Sequence, residues 1–165
     1  MLQRIKKGKA RQSKGGHFAI VASKYNARYV NGMLRAAERC LRAAGVDSIN
    51  VVRVPGAFEI PVVVGRLAWS HDPAPDAIIC LGVILRGETS HAQNISEALS
   101  RTLAHAQLQT GIPIIHEVLL LESEEQAKAR CLSQDHNRGM EAAQTALEMR
   151  RVMRRLQSAP RTGRS

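Results

Sequence analysis

The stretch Ala77-Ile78-Ile79-Cys80-Leu81-Gly82-Val83-Ile84-Leu85-Arg86-Gly87-Glu88-Thr89-Ser90-His91 decides the fold. Its first five residues form an unbroken apolar run, as expected of a strand buried on both faces in a parallel sheet. Gly82–His91 reads as the loop leaving that strand, with a helix starting after Ser90. In open parallel sheets, ligands bind at the carboxyl ends of the strands. Loop amides and the positive end of a helix dipole suit an anion such as phosphate. His91 falls in the helix's first turn, beside that anion. A histidine at a helix start is most often a plain surface residue. The dipole, however, favours a neutral imidazole there, able to take a proton. A base next to an anion pocket is the constellation of an enzyme.

The same alternation extends in both directions. His17–Ser23 reads as a first strand, with Lys24-Tyr25-Asn26 as its carboxyl-end loop. Val30, Met33, Leu34, Ala37, Cys40, Leu41 and Ala44 then recur at helical spacing until Gly45. Ile49–Val54 is a second, β-branched strand cut off by Pro55-Gly56, and a short helix is expected from Pro61. Asp72–Asp76 is a turn. Ile95, Ala98, Leu99, Thr102, Leu103, Ala106 and Leu108 mark a third helix that stops at Gly111. A fourth strand runs from Ile112 to about Leu120, and Ser123 with Gln126 reads as a capping box for a fourth helix through Arg130. A last helix carries Ala142, Ala143, Ala146, Leu147, Met149 and Met153. Four strand–helix repeats imply right-handed βαβ units. The expected fold is α/β: a three-layer α/β/α sandwich, flavodoxin-like, around a four-stranded parallel sheet. So small a sheet leaves two open edges, which partner subunits can cover.

The 165 residues and 44% hydrophobic content suit one domain with an aliphatic core, since aromatics make up only 3%. The expected organisation is a basic flexible leader over 1–16, a single domain over 17–157 and a disordered tail over 158–165. No apolar stretch is long enough to cross a bilayer, and the basic start lacks the apolar segment of a signal peptide. The three cysteines have no paired spacing, which suits reduced thiols in a cytoplasm. The histidines form no metal-ligand pattern. The net charge of +10 sits at the two ends: Arg4, Lys6, Lys7, Lys9, Arg11 and Lys14, then Arg150, Arg151, Arg154, Arg155, Arg161 and Arg164. The middle of the chain is nearly neutral. Solvated tails are the favoured reading, with contact to nucleic acid or another polyanion as the alternative.

Taken singly, the other loop residues are ordinary. Tyr25 suits a half-buried loop aromatic, Glu59 a helix start, and Arg130 a solvated surface. Together they carry a resemblance. Lys24-Tyr25-Asn26, Val54-Pro55-Gly56-Ala57-Phe58-Glu59-Ile60-Pro61, Gly87-Glu88-Thr89-Ser90-His91, Glu125-Gln126-Ala127 and Asn137-Arg138-Gly139-Met140-Glu141-Ala142-Ala143 resemble lumazine synthase in order and spacing. The likeness covers about His17 to Met153. It implies condensation of 5-amino-6-(D-ribitylamino)uracil with 3,4-dihydroxy-2-butanone 4-phosphate, giving 6,7-dimethyl-8-ribityllumazine, phosphate and water. This is the penultimate step of riboflavin synthesis, and it needs no metal or organic cofactor.

The resemblance also implies roles. His91 would be the catalytic base. Tyr25 would stack on the pyrimidine with Asn26 beside it. Ala57, Phe58 and Glu59 would hold the ribityl chain, and the backbone of Val83, Ile84 and Leu85 would meet the pyrimidine edge. Gly87, Glu88 and Thr89 would cradle the phosphate, with Arg130 as counter-charge. His116 and Arg138 complete the expected substrate-binding set. Two departures from the family pattern stand out: His116-Glu117 replaces the usual Phe-Gly, and Arg138 replaces a lysine. Family sites lie between neighbouring subunits of a pentamer, with His116 and Arg130 expected from the adjacent chain. The uninterrupted connection Cys131–Arg138 points towards the sixty-subunit shell that many members build. An association with riboflavin synthase also belongs to the picture. A relative that binds the ligand without turnover is the competing reading.

Overall fold

β1 (His17–Ser23) and β3 (Ala77–Leu85) are apolar on both faces and form the centre of a sheet ordered β2-β1-β3-β4, all parallel, with β2 at Ser48–Val54 and β4 at Ile114–Leu121. The computed structural model describes residues 15–70, 72–87 and 90–159. Period-two alternation splits the core. Phe18, Ile20, Ala22, Ile79, Leu81, Ile115, Leu119 and Leu121 pack under α1 (Ala27–Ala43), α4 (Glu124–Cys131) and α5 (Arg138–Ser158). Ala19, Val21, Ile78, Cys80, Ile114 and Val118 pack under α2 (Ile60–Ser70) and α3 (His91–Thr110). The expected three-layer, flavodoxin-like sandwich is what forms. Its strand order reverses between β1 and β3, the switch point where such sheets take ligands.

Several boundaries differ from the sequence reading. Gly82–Leu85 is strand, not loop: Gly82, Val83, Ile84 and Leu85 pair with Val118, Leu119, Leu120 and Leu121 of β4. A 3-10 turn, Ala57–Glu59, precedes α2, which starts at Ile60 rather than Pro61. β4 begins at Ile114, two residues later than expected. In α3, Ala92, Leu99, Leu103 and Ala106 face the core, whereas Ala98, Thr102 and Leu108 are exposed. The helix lies against the sheet on a narrower stripe than its composition suggests. Gly15 and Gly16 belong to the folded unit: the Gly15 amide donates to Gly45 O at 2.9 Å and the Gly16 amide to Asp47 Oδ2 at 2.6 Å. Most of the basic leader, 1–14, and the tail from Pro160 on lie outside the described residues.

α1 packs closely through glycines, against the start of α5 and against the end of α4. A Cβ on Gly139 would fall on the Met33 carbonyl, and one on Gly32 would lie 2.5 Å from Cys131 O. Asn137 starts α5: its Oδ1 accepts from Gly139 N at 2.9 Å and its Nδ2 donates to Cys131 O at 2.7 Å. At the other end, Arg150 lies 3.4 Å from Asp76, whose carboxylate accepts the His17 amide at 2.8 Å. No helix among the described residues is long and apolar enough to cross a membrane.

Candidate functional site

The loops leaving β1, β2 and β3 converge on the switch point. Lys24 and Tyr25 donate backbone hydrogen bonds to Val54 O and Pro55 O, at 2.7 and 3.1 Å, which fastens the β1 loop to the β2 loop. Asn26 adopts a left-handed conformation (φ 53) before α1. Asparagine in this place ordinarily caps the helix. Here its Nδ2 instead reaches across to Val83 O at 2.8 Å, which ties the β1 loop to β3. The 3-10 turn carrying Ala57, Phe58 and Glu59 packs against β1, β3 and α3. Glu59 Oε2 accepts the Gly56 amide at 2.8 Å, so one carboxylate oxygen is already engaged in holding the turn. Tyr25 and Phe58 are 74% and 62% exposed. Two solvent-facing aromatics on loops fastened together are an apolar surface in want of cover.

His91 is the first residue of α3 and is exposed. Ser90, at the cap position, makes no side-chain cap bond. By contrast α4 is capped by Ser123 Oγ, which accepts from Gln126 N at 3.3 Å, while Gln126 Oε1 returns to the amide of Glu122 rather than of Ser123. Gly87 lies just before α3, but Glu88 and Thr89 are outside the described residues, so two of the three expected phosphate-cradle residues have no described geometry. Arg86 anchors the near side of that loop. Its Nη2 donates to Gln93 Oε1 at 2.9 Å and its Nε meets Glu122 Oε1 at 3.1 Å.

His116, Arg130 and Arg138 stand on edge strand β4, on α4 and on α5. They do not form one cluster. His116 points to the α3 face, and its neighbour Glu117 points to the α5 face. His116 Nδ1 accepts from Val118 N at 3.2 Å and Nε2 meets Ser100 Oγ at 2.8 Å, while that hydroxyl donates to Ser96 O at 2.8 Å. This set of bonds suits the neutral Nε2–H tautomer. Burial holds the His116 pKa below the usual value. The unfolded chain therefore binds the proton first, and His116 should cost stability as pH falls below about 6.5. Thermal melts from pH 8 to pH 5 should show a larger loss of Tm for the wild type than for His116→Phe. Parallel curves would contradict this.

On the opposite face Arg138 Nε meets Glu117 Oε1 at 2.7 Å and Nη1 meets Glu141 Oε2 at 2.8 Å. Glu117 is 6% exposed. Burial raises its pKa, and Arg138 and, less strongly, Arg130 pull it back.

Arg53 escaped the sequence reading. It shares a strand face with Ile49 and Val51, so an inward charge needing partners was legible there. Its guanidinium donates to Ala22 O at 3.2 Å, Ser23 O at 3.0 Å and Asn31 Oδ1 at 2.7 Å, holding the end of β1 and the start of α1.

The family model described as 6,7-dimethyl-8-ribityllumazine synthase matches residues 15–154. A curated protein of that name from Xanthomonas oryzae pv. oryzae strain PXO99A is 41% identical over 138 residues, covering 82% of this chain and 88% of the relative. One from Stenotrophomonas maltophilia strain R551-3 is 38% identical over 151 residues, covering 90% and 96%.

Proposed function

Because the chain belongs to the 6,7-dimethyl-8-ribityllumazine synthase family and has that family's transferase activity in riboflavin biosynthesis, we propose that it condenses 5-amino-6-(D-ribitylamino)uracil with 3,4-dihydroxy-2-butanone 4-phosphate at the crest of β1, β2 and β3. The observation that carries this reading is the bond from Asn26 to Val83 O, which ties the β1 loop to β3 next to the loops that bear the two exposed aromatics. Tyr25 stacks on the pyrimidine, with Asn26 beside it and the Val83–Leu85 backbone at the ring edge. Ala57, Phe58 and the second oxygen of Glu59 hold the ribityl chain. Gly87, Glu88, Thr89 and the start of α3 take the phosphate. His91 moves the protons. The amine adds to the ketone carbonyl and water leaves as the imine forms. Phosphate is then eliminated, and a second imine closes the ring with loss of water. Each step needs a proton taken from nitrogen or carbon and given to oxygen, which one base of near-neutral character serves. Holding two substrates together supplies much of the remaining rate.

The position of β4 at the edge of the sheet, open to a neighbouring chain, supports a composite site. His116 and Arg130 of one chain complete the crest of its neighbour, within a homo-oligomer of the pentameric kind, alone or as a sixty-subunit shell. Subunit mixing tests it. His91→Ala and Arg130→Ala chains, each weak alone, should regain about a quarter of wild-type activity when coexpressed in equal amounts, because a head-to-tail ring then contains some intact interfaces. Activity no higher than the average of the two variants would place both residues in one chain's own site.

A further inference from the structure

We propose that Glu117 is a positioning residue that sets which edge of Arg138 meets the pyrimidine, an inference that rests on the placement of Arg138 in the substrate site. Three observations converge on it. The Glu117 carboxylate lies almost fully buried on a strand face otherwise filled by Ile115, Leu119 and Leu121. Arg138 is the first residue of α5, where the helix dipole opposes a cation. Each placement is unfavourable alone, and the 2.7 Å pair relieves both. Buried ion pairs seldom stabilise a fold more than apolar residues of similar size would, so stability does not account for this one.

The geometry does account for it. Asn137 fixes the backbone at the start of α5 through its bonds to Gly139 N and Cys131 O. Glu117 takes Nε and Glu141 takes Nη1, which fixes the plane of the guanidinium. Nη2 has no hydrogen-bond partner among the described residues, and the side chain remains 28% exposed. A fork held on two sides offers its third nitrogen in one direction, as a preorganised donor to a planar acceptor edge. The ring carbonyls of a pyrimidinedione present such an edge. A lysine has one nitrogen and no fork to orient, and a glycine at 117 has no carboxylate to orient it. The two departures from the family pattern are thus a single device.

Steady-state kinetics on the full-length protein, with each substrate varied in turn, tests this. Glu117→Gln and Glu117→Gly should each raise KM for the ribitylaminouracil about tenfold, the equivalent of about 1.4 kcal/mol. KM for the phosphate-bearing ketone should stay within twofold, as a general loosening of the fold would not allow. Arg138→Lys alone should be impaired, because Glu117 draws the amine away from the ligand. Glu117→Gly with Arg138→Lys should recover most of that loss. Equal rises in both KM values, or a double variant no better than the product of the single effects, would overturn the proposal. Should Glu117→Gly fail to fold, Glu117→Gln carries the same comparison. If neither KM responds to Arg138→Ala, the placement of Arg138 at the site falls. If Arg138→Ala matters and neither Glu117 change does, only the positioning role falls.

Discussion

His91→Ala is expected to lower kcat by about a hundredfold or more, with KM for either substrate changed little and Tm nearly unaltered. The side chain is exposed at the first position of α3, so its removal opens no cavity and breaks no described hydrogen bond. What it removes, on the proposed reading, is the base that serves the proton transfers of the condensation. The reaction forms two imines and expels phosphate, so proton transfer recurs and the loss falls on kcat. On that reading binding rests on other groups: the aromatics, Glu59 and the loop before α3. His91→Gln should be about as slow as the alanine variant, since an amide can hydrogen-bond but cannot serve as the base. Product absorbance and phosphate release together measure this. A kcat within threefold of wild type, in a protein with unchanged melting, would remove His91 from the chemistry.

Gly139→Ala should have the largest effect on stability. The residue is buried at the second position of α5, against α1, and the added methyl would overlap the Met33 carbonyl group and Cα. Those are backbone atoms and cannot rotate away. The two helices must separate. Overpacking of this kind costs about 3 kcal/mol, or a Tm roughly 10 °C lower in a chain of this size. Thermal and urea denaturation would show it. A loss of under 2 °C would mean that the seam yields more easily than two packed backbones should. The substitution also lies next to Arg138, so KM for the pyrimidine should be read below the variant's own melting range.

The order of elements was legible because each strand or helix carries its own pattern. Gly45 and Gly111 end α1 and α3 with positive φ, as their sequence positions suggest. The length of β3 was not legible. Gly82 reads as a turn residue, yet it lies in the ladder opposite Val118, where any larger side chain would crowd that valine. Only pairing with a strand more than thirty residues away settles it. The candidate site divides in the same way. Tyr25, Phe58, Glu59 and His91 announce themselves in loop motifs. The Asn26–Val83 bond spans 57 residues and the Glu117–Arg138 bond spans 21, and no local pattern encodes either. In the sequence Glu117 stands only as a departure from the family pattern beside His116. In the structure it points to the opposite face of the sheet from His116, because adjacent strand residues must.

The helix starts divide into two kinds. Ser123 and Asn137 close α4 and α5 with their own side chains, whereas Asn26 turns its amide elsewhere and Ser90 closes nothing. The two open starts are those that border the crest. A bound phosphate or heterocycle would supply to α3 and α1 the acceptors that serine and asparagine supply elsewhere. Occupancy of the proposed site and the closing of those first turns would then be one equilibrium.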